Sequence, residues 1–91
     1  MPSKNPVDRI EHDALRTLIA RWRTEAGMTQ RELSAKLGRS HNFIVKIETG
    51  ARGVYVVDLI DIIRELGKPI RPALDEYTRL LAETNPLSHW P

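Results

Sequence analysis

The sequence predicts an all-α protein, a compact bundle of five helices within residues 8–84. Apolar residues recur at the three- and four-residue spacing of amphipathic helices through most of this range. Glycine or proline follows each periodic segment, where helices usually end. The length of 91 residues suits one small domain, and a composition with 41% hydrophobic and 29% charged residues is that of a globular protein.

The first helix is expected over residues 8–26, after a flexible tail at residues 1–7. Asp8 and Glu11 have the spacing of a capping box, in which two side chains bond to backbone N–H groups at the helix start. Trp22 is assigned to the core rather than to a binding surface. The apolar face of this helix comprises Leu15, Leu18, Ile19, Trp22 and Ala26.

The centre of the chain, residues 29–50, predicts two short helices joined by a tight turn. Thr29 and Glu32 repeat the capping-box spacing, and two leucines follow on one helical face. Gly38 stands where a helix end favours a left-handed residue, and Ser40 is then expected to cap the second helix. The apolar seam of the second helix is Phe43, Ile44 and Ile47.

A fourth helix is expected over residues 56–66, although residues 54–57 also suit a strand by propensity. Gly67 follows this helix as a stop. Pro72 is placed as the first residue of a fifth helix, which ends before a C-terminal tail at residues 85–91. The periodic apolar positions of the fourth helix are Val56, Leu59, Ile60, Ile63 and Leu66.

The composition excludes several classes of protein. The sequence has no cysteine, which rules out a disulfide framework and a cysteine zinc site. No apolar run approaches the ~18 residues of a membrane span, and the N-terminus lacks the hydrophobic segment of a secretory signal. We find no glycine-rich phosphate loop, metal-ligand cluster or nucleophile–base pair. The sequence therefore predicts a cytoplasmic protein that is not an enzyme and has no cofactor, metal or membrane partner.

The net charge of +2 is unevenly distributed along the chain. Residues 1–20 are neutral overall, whereas residues 21–52 contain seven basic and three acidic residues, a net charge of +4. Residues 53–91 carry a net charge of −2. Because the positive segment coincides with the two central helices, it favours a surface that faces phosphate groups over an ordinary solvated surface.

A long ordered set of residues in the central segment matches one family pattern. The set comprises Thr29, Gln30, Glu32, Leu33, Lys36, Leu37, Gly38, Ser40, Ile44, Lys46, Ile47, Glu48 and Gly50. It resembles the helix-turn-helix of the Xre/Cro/phage-repressor family, and the resemblance extends to residues 18–27 and 56–67. It implies a lambda-repressor-like bundle with the helix-turn-helix at helices two and three. The chain departs from the family at Val54 and Tyr55, where Pro-Ser or Pro-Thr usually precedes helix four.

The resemblance implies that the second central helix, over residues 40–48, is a recognition helix that enters the major groove of double-stranded DNA. Asn42 is expected to pair with adenine, and Lys46 to donate to the O6 and N7 acceptors of guanine. Val45 is expected to touch a thymine methyl group. His41 is expected at a base edge, with a phosphate contact or simple solvation as equal alternatives.

Five residues are expected at phosphate groups of the DNA. Gln30 is the first residue of the first central helix. In family members the matching glutamine bonds a phosphate and braces the recognition helix. The backbone N–H groups at the helix start are further donors to a phosphate. Ser40 is expected to serve the helix cap and a phosphate together. Arg39 in the turn, Arg52 in the following loop and Arg23 near the motif are the remaining three.

Because one such unit reads few base pairs, a homodimer on two half-sites is expected. The apolar face of the fifth helix is expected either to form the dimer interface or only to pack on the first helix. Its residues are Leu74, Tyr77, Leu80 and Leu81. The preferred function is a transcriptional repressor that binds a palindromic operator. The alternative is an antitoxin that binds its own operator and a toxin, and a protein-binding adaptor without DNA binding ranks third.

Overall fold

The periodic segments fold as five α-helices in the computed structural model, which describes residues 9–84. The helices are α1 (Ile10–Glu25), α2 (Gln30–Lys36), α3 (Phe43–Thr49), α4 (Val56–Glu65) and α5 (Ile70–Thr84). This architecture confirms the predicted all-α bundle. The strand alternative for residues 54–57 is wrong, because α4 already begins at Val56. The expected tails at residues 1–7 and 85–91 lie outside the described range.

One core joins the five helices. α1 packs against α3 and α5, α2 packs against α3 and α4, and α4 also packs against α5. Trp22 is 1% exposed and its indole N–H donates to Glu76 Oε1 at 2.9 Å, so the assignment of this tryptophan to the core is confirmed. The other buried apolar residues are Ala14, Leu15, Leu18, Ile19, Leu33, Phe43, Ile44, Ile47, Leu59, Ile62, Ile63, Leu66, Ala73 and Leu81.

Side chains and glycines set the ends of the central helices. Thr29 Oγ1 accepts from the Glu32 backbone N–H at 3.0 Å, and Glu32 Oε1 accepts from the Thr29 N–H at 2.8 Å, which completes the predicted capping box. The bond from the Thr29 backbone holds the pKa of the Glu32 carboxyl below its ordinary value, because it favours the carboxylate. Gly38 and Gly50 adopt the left-handed φ values of 69° and 83°.

The ends of α1 differ from the expectation. The N-cap is Arg9, whose side chain makes no capping bond, and Asp8 lies outside the described residues. The Glu11 carboxylate instead accepts from Arg9 Nε at 3.0 Å. At the other end, Ala26 is the exposed C-cap residue, so its assignment to the apolar face is wrong because the helix has already ended at Glu25.

The second central helix starts later than predicted. Residues 40–42 form a turn, in which the Ser40 carbonyl oxygen accepts from the Phe43 N–H at 3.0 Å, and α3 begins at Phe43. The N-cap is Asn42, which makes no side-chain capping bond, so the predicted cap by Ser40 is wrong. The helix nevertheless ends at Gly50 as expected.

Two predictions about the last helices also need correction. Val56 was expected in the core but is 74% exposed, because it lies in the first turn of α4. Ile62 was not expected there but is 0% exposed, because the buried face of α4 is centred on it. Pro72 is the third residue of α5, which begins at Ile70. A proline is tolerated there because N–H groups in the first turn have no partner within the helix.

Candidate nucleic-acid interface

A buried serine links α2 to α3. Ser34 is 0% exposed, and its hydroxyl donates to the Gln30 carbonyl oxygen at 2.9 Å. The Ser34 hydroxyl oxygen also accepts from the Ile44 N–H at 3.1 Å. This bond satisfies an N–H group at the start of α3 that no helix cap serves. The small side chain therefore holds the two helices close together and fixes where α3 begins relative to α2.

Glu48 anchors the other end of α3 to both earlier helices. Its carboxylate accepts from Arg23 Nε at 2.7 Å and from Arg23 Nη2 at 3.0 Å. It also accepts from Gln30 Nε2 at 2.9 Å, while Arg23 Nη1 donates to the Met28 carbonyl oxygen at 2.8 Å. The side chains of Arg23 and Glu48 are only 13% and 8% exposed. This cluster, Arg23–Gln30–Glu48, fixes the orientation of α3, and the phosphate contacts expected of Arg23 and Gln30 stay predictions.

Two arginines converge on one aromatic ring beside the turn. The guanidinium carbons of Arg39 and Arg52 lie 3.9 and 4.8 Å from the centroid of the Phe43 ring. Arg39 Nη1 lies 3.0 Å from Asp58 Oδ1, and Arg52 Nη2 lies 3.6 Å from Asp58 Oδ2. Asp58 thus positions both arginines, and the side chains of Arg39 and Arg52 remain 39% and 30% exposed. Phe43 belongs to the core at 4% exposed, as expected.

The residues expected to read DNA bases lie on the surface. His41 and Asn42 are exposed in the turn before α3, and Lys46 is exposed one turn further along the helix. Val45 is half-buried, and Ser40 is exposed at the start of the turn. The structure therefore leaves these polar side chains accessible to a ligand, and their contacts with bases or phosphate stay predictions.

An open cavity of about 610 Å³ adjoins these residues. Its lining includes Lys46 from α3, Arg52 and Tyr55 from the following loop, and His12 from α1. Neither ring nitrogen of His12 has a hydrogen-bond partner among the described residues. Burial lowers the pKa of His12 below its ordinary value, and the neighbouring positive charge of Arg16 lowers it further.

The apolar face of α5 packs towards α1. Leu81 is 2% exposed, and Leu74, Tyr77 and Leu80 are half-buried against the core. The Tyr77 hydroxyl donates to the Glu11 carbonyl oxygen at 2.8 Å. Burial raises the pKa of the Tyr77 phenol. These contacts correspond to the packing alternative for this face, and a role of the same residues in a dimer interface stays a prediction.

Sequence reasoning missed one polar residue that positions this surface, and it saw only part of the role of a second. Asp58 was not singled out, because its arginine partner in the turn lies 19 residues away and leaves no local pattern. Ser34 is expected from the sequence as a small residue where the two central helices cross, but its hydrogen bond with Ile44 spans 10 residues and was not predicted. Within residues 9–84, no helix is long and apolar enough to cross a membrane, and no group of three or more potential metal ligands occurs.

Comparisons with known proteins agree with this geometry. Residues 14–81, most of the chain, match the family model described as a helix-turn-helix domain. The chain is 38% identical over 49 residues to an uncharacterized HTH-type transcriptional regulator, y4dJ, of Sinorhizobium fredii (strain NBRC 101917 / NGR234). That match covers 54% of this chain and 64% of the relative.

The solved structures that resemble the chain include the wild-type restriction-modification controller protein C.Esp1396I. The TM-score is 0.75 at 22% identity, and the match covers 81% of this chain and 97% of that one. A single-residue mutant of the same controller protein gives a TM-score of 0.75 at 23% identity, covering 82% of this chain and 95% of that one. At these identities the likeness shows a shared fold. Because the family model matches most of the chain, the chain belongs to the Xre-like helix-turn-helix family.

Proposed function

We propose that this protein is a sequence-specific transcriptional repressor that binds a palindromic operator in double-stranded DNA as a dimer. In this proposal α3 enters the major groove with Asn42 and Lys46 towards the base edges. The observation that supports it most is that both side chains are exposed, Asn42 directly before α3 and Lys46 one turn along it, while hydrogen bonds to other helices fix both ends of α3. A rigid helix with accessible polar tips is what base reading requires.

The cations around this helix fit a phosphate-binding role. Arg39 and Arg52 are preorganised by Asp58 and by the Phe43 ring, yet each keeps about a third of its side chain in solvent. Residues 21–52 carry a net charge of +4, which attracts the DNA backbone independently of sequence. In the proposal, Ser40 and Gln30 add hydrogen-bond donors at the turn and at the start of α2.

The proposal is tested by first selecting a binding site from random DNA and then measuring variants on it by fluorescence anisotropy. Asn42→Ala and Lys46→Ala should each weaken binding by ~1–3 kcal/mol and relax the base preference at one position of each half-site. Arg52→Ala should instead weaken binding to all sequences and reduce the slope of log K against log salt by about 1.

A matched control is Arg71→Ala, which removes an exposed arginine from α5, outside the proposed interface. It should leave base preference unchanged and change the salt slope less than Arg52→Ala. If the selection recovers no consensus, or if the three interface variants bind like wild type, the proposed function is refuted.

A further inference from the structure

Asp58 brings together two arginines from different connections of the fold. Arg39 lies in the turn between α2 and α3, Arg52 lies in the loop between α3 and α4, and Asp58 lies in the first turn of α4. Its Oδ1 is 3.0 Å from Arg39 Nη1, and its Oδ2 is 3.6 Å from Arg52 Nη2. Both guanidinium groups also lie against the Phe43 ring. We refer to Arg39 and Arg52 together as the arginine pair.

The Asp58 carboxylate offsets the repulsion within the arginine pair. Two positive charges beside one aromatic ring repel each other, and water screens a carboxylate weakly when its side chain is only 11% exposed. The first turn of α4 favours a negative charge at this position, because a helix start carries a partial positive charge. With two positive charges and one negative charge, the group keeps a net charge of +1.

The arginine pair still has donors to offer to an anion. The Arg39 and Arg52 side chains are 39% and 30% exposed. Arg52 Nε donates to the Gly53 carbonyl oxygen at 3.2 Å. Arg39 Nε and Nη2 and Arg52 Nη1 have no hydrogen-bond partner among residues 9–84. Because a guanidinium group presents its N–H donors in a planar fork, such donors suit an anion with two oxygen atoms.

We propose that the arginine pair binds a single phosphodiester group of the DNA backbone, and that Asp58 is the positioning residue of this site, an inference that rests on the proposed function. The Asp58 carboxylate shows that one anion with two oxygen atoms can contact both guanidinium groups at once. A phosphodiester also has two free oxygen atoms, and its one negative charge balances the net charge of +1. The carboxylate holds the pair from the side of α4, and the phosphate binds from the solvent.

Asp58 then affects DNA binding in the direction opposite to its charge. A carboxylate near a phosphate repels it, so the loss of a negative charge alone should strengthen binding to DNA. The loss of a positioning residue should weaken binding, because the two arginines then repel each other and the phosphate must bring them together again. The sign of the change therefore distinguishes positioning from simple electrostatic repulsion.

Asp58→Asn tests this sign on the DNA site selected from random sequences. The substitution keeps the shape of the side chain but removes its charge, and it should weaken binding about fivefold in fluorescence anisotropy. Asp61→Asn makes the same change at an exposed position about one turn along α4 and should stay within about twofold of wild type. Circular dichroism melting should show that both variants are folded under the binding conditions. Binding by Asp58→Asn that equals or exceeds wild-type affinity would overturn the proposal.

The same substitution in the absence of the arginine pair separates positioning from a general disturbance of α4. In an Arg39→Ala/Arg52→Ala background, Asp58→Asn has no arginine to release, so it should not weaken binding further. The comparison is made at a salt concentration low enough for the background variant to bind DNA. A disturbance of α4 itself would weaken binding in both backgrounds, and an equal loss in the two would overturn the positioning role.

Duplexes with single methylphosphonate groups test whether the two arginines share one phosphate. A methylphosphonate replaces one charged oxygen of the backbone by a neutral methyl group. At one position in each half-site, wild-type protein should lose affinity about tenfold, whereas Arg39→Ala and Arg52→Ala should each lose about threefold or less. Arg71→Ala, the control on α5, should lose as much as wild type. If each arginine variant loses its sensitivity at a different backbone position, the shared site is refuted.

The outcomes for this site and for the proposed function can be told apart. Protein that binds no DNA would refute both. Protein that selects a consensus, but in which Asp58→Asn does not weaken binding or the arginines contact separate phosphates, would refute only the shared phosphate site. A selected consensus, weaker binding by Asp58→Asn and one shared backbone position would together support both.

Discussion

At the scale of single residues, some buried polar groups have hydrogen-bond partners and others have none. Ser34 and Glu48 use their oxygen atoms fully, and each connects α3 to another helix. His12 is the contrasting case, since neither ring nitrogen has a partner among residues 9–84. Burial without a hydrogen-bond partner disfavours the protonated form of a histidine. Acid therefore destabilises the folded state relative to the unfolded state, where the ring is in water.

His12 therefore predicts a particular dependence of stability on pH. Its pKa is lower in the folded than in the unfolded chain, so the unfolded chain binds more protons as the pH falls below about 6.5. The free energy of unfolding should fall between pH about 7 and pH about 5, and His12→Gln should lose less stability over this interval. Urea titrations at a series of pH values measure the difference. Identical pH profiles for the two proteins would contradict the prediction.

At the scale of secondary-structure elements, α3 is short and depends on its neighbours for its position. It has seven residues and no side-chain cap at its start. Isolated helices of this length are not stable in water. The Arg23–Gln30–Glu48 cluster at one end and the Ser34 hydroxyl at the other hold it between α1 and α2. Its orientation is thus a property of three helices together.

Glu48→Gln tests this dependence. The change keeps the shape of the side chain but leaves the nearly buried Arg23 guanidinium without its carboxylate, so unfolding free energy should fall by about 3 kcal/mol. Glu83→Gln makes the same chemical change at an exposed position of α5 and should stay within about 0.5 kcal/mol of wild type. Urea denaturation measures both values. Equal effects of the two substitutions would show that the cluster does not anchor α3.

Local signals in the sequence predicted most helix ends and the identity of the fold. Thr29, Glu32 and the glycines act on residues within one turn, so their effect can be predicted without the fold. The exposure of Val56 and the role of Asp58 depend on where other helices lie. The spacing of apolar residues predicts which face of a helix is buried. It does not predict how far along the helix the neighbouring helices cover that face. His41, Asn42 and Lys46 were found exposed, and Gln30 bonds to α3 through Glu48 as the resemblance implied, whereas the role of Asp58 was found only in the structure.

At the scale of the whole molecule, all five helices contribute to a single core. Trp22 lies within this core and bonds to α5, while the helices that carry the expected site pack on the same residues. No group of helices has a separate core among the described residues. Small domains with this organisation usually unfold in one cooperative step.

The single core predicts that tryptophan fluorescence and circular dichroism give the same unfolding midpoint in urea. The measurement uses a Trp90→Phe background, so that Trp22 is the only fluorescent tryptophan. In that background, Ile62→Ala should lower the stability reported by both probes by about 2–5 kcal/mol. Separate midpoints would mean that the region around Trp22 unfolds independently of the rest.

The uneven charge distribution of the molecule bears on how it arrives at its target. Residues 21–52, which include the exposed turn and the start of α3, carry +4, whereas residues 53–91 carry −2. The net positive charge of the segment with the turn and α3 attracts a polyanion, so this part of the surface is drawn towards DNA before contact. Encounters then begin in a usable orientation, so the diffusional arrival rate should decline steeply as ionic strength rises.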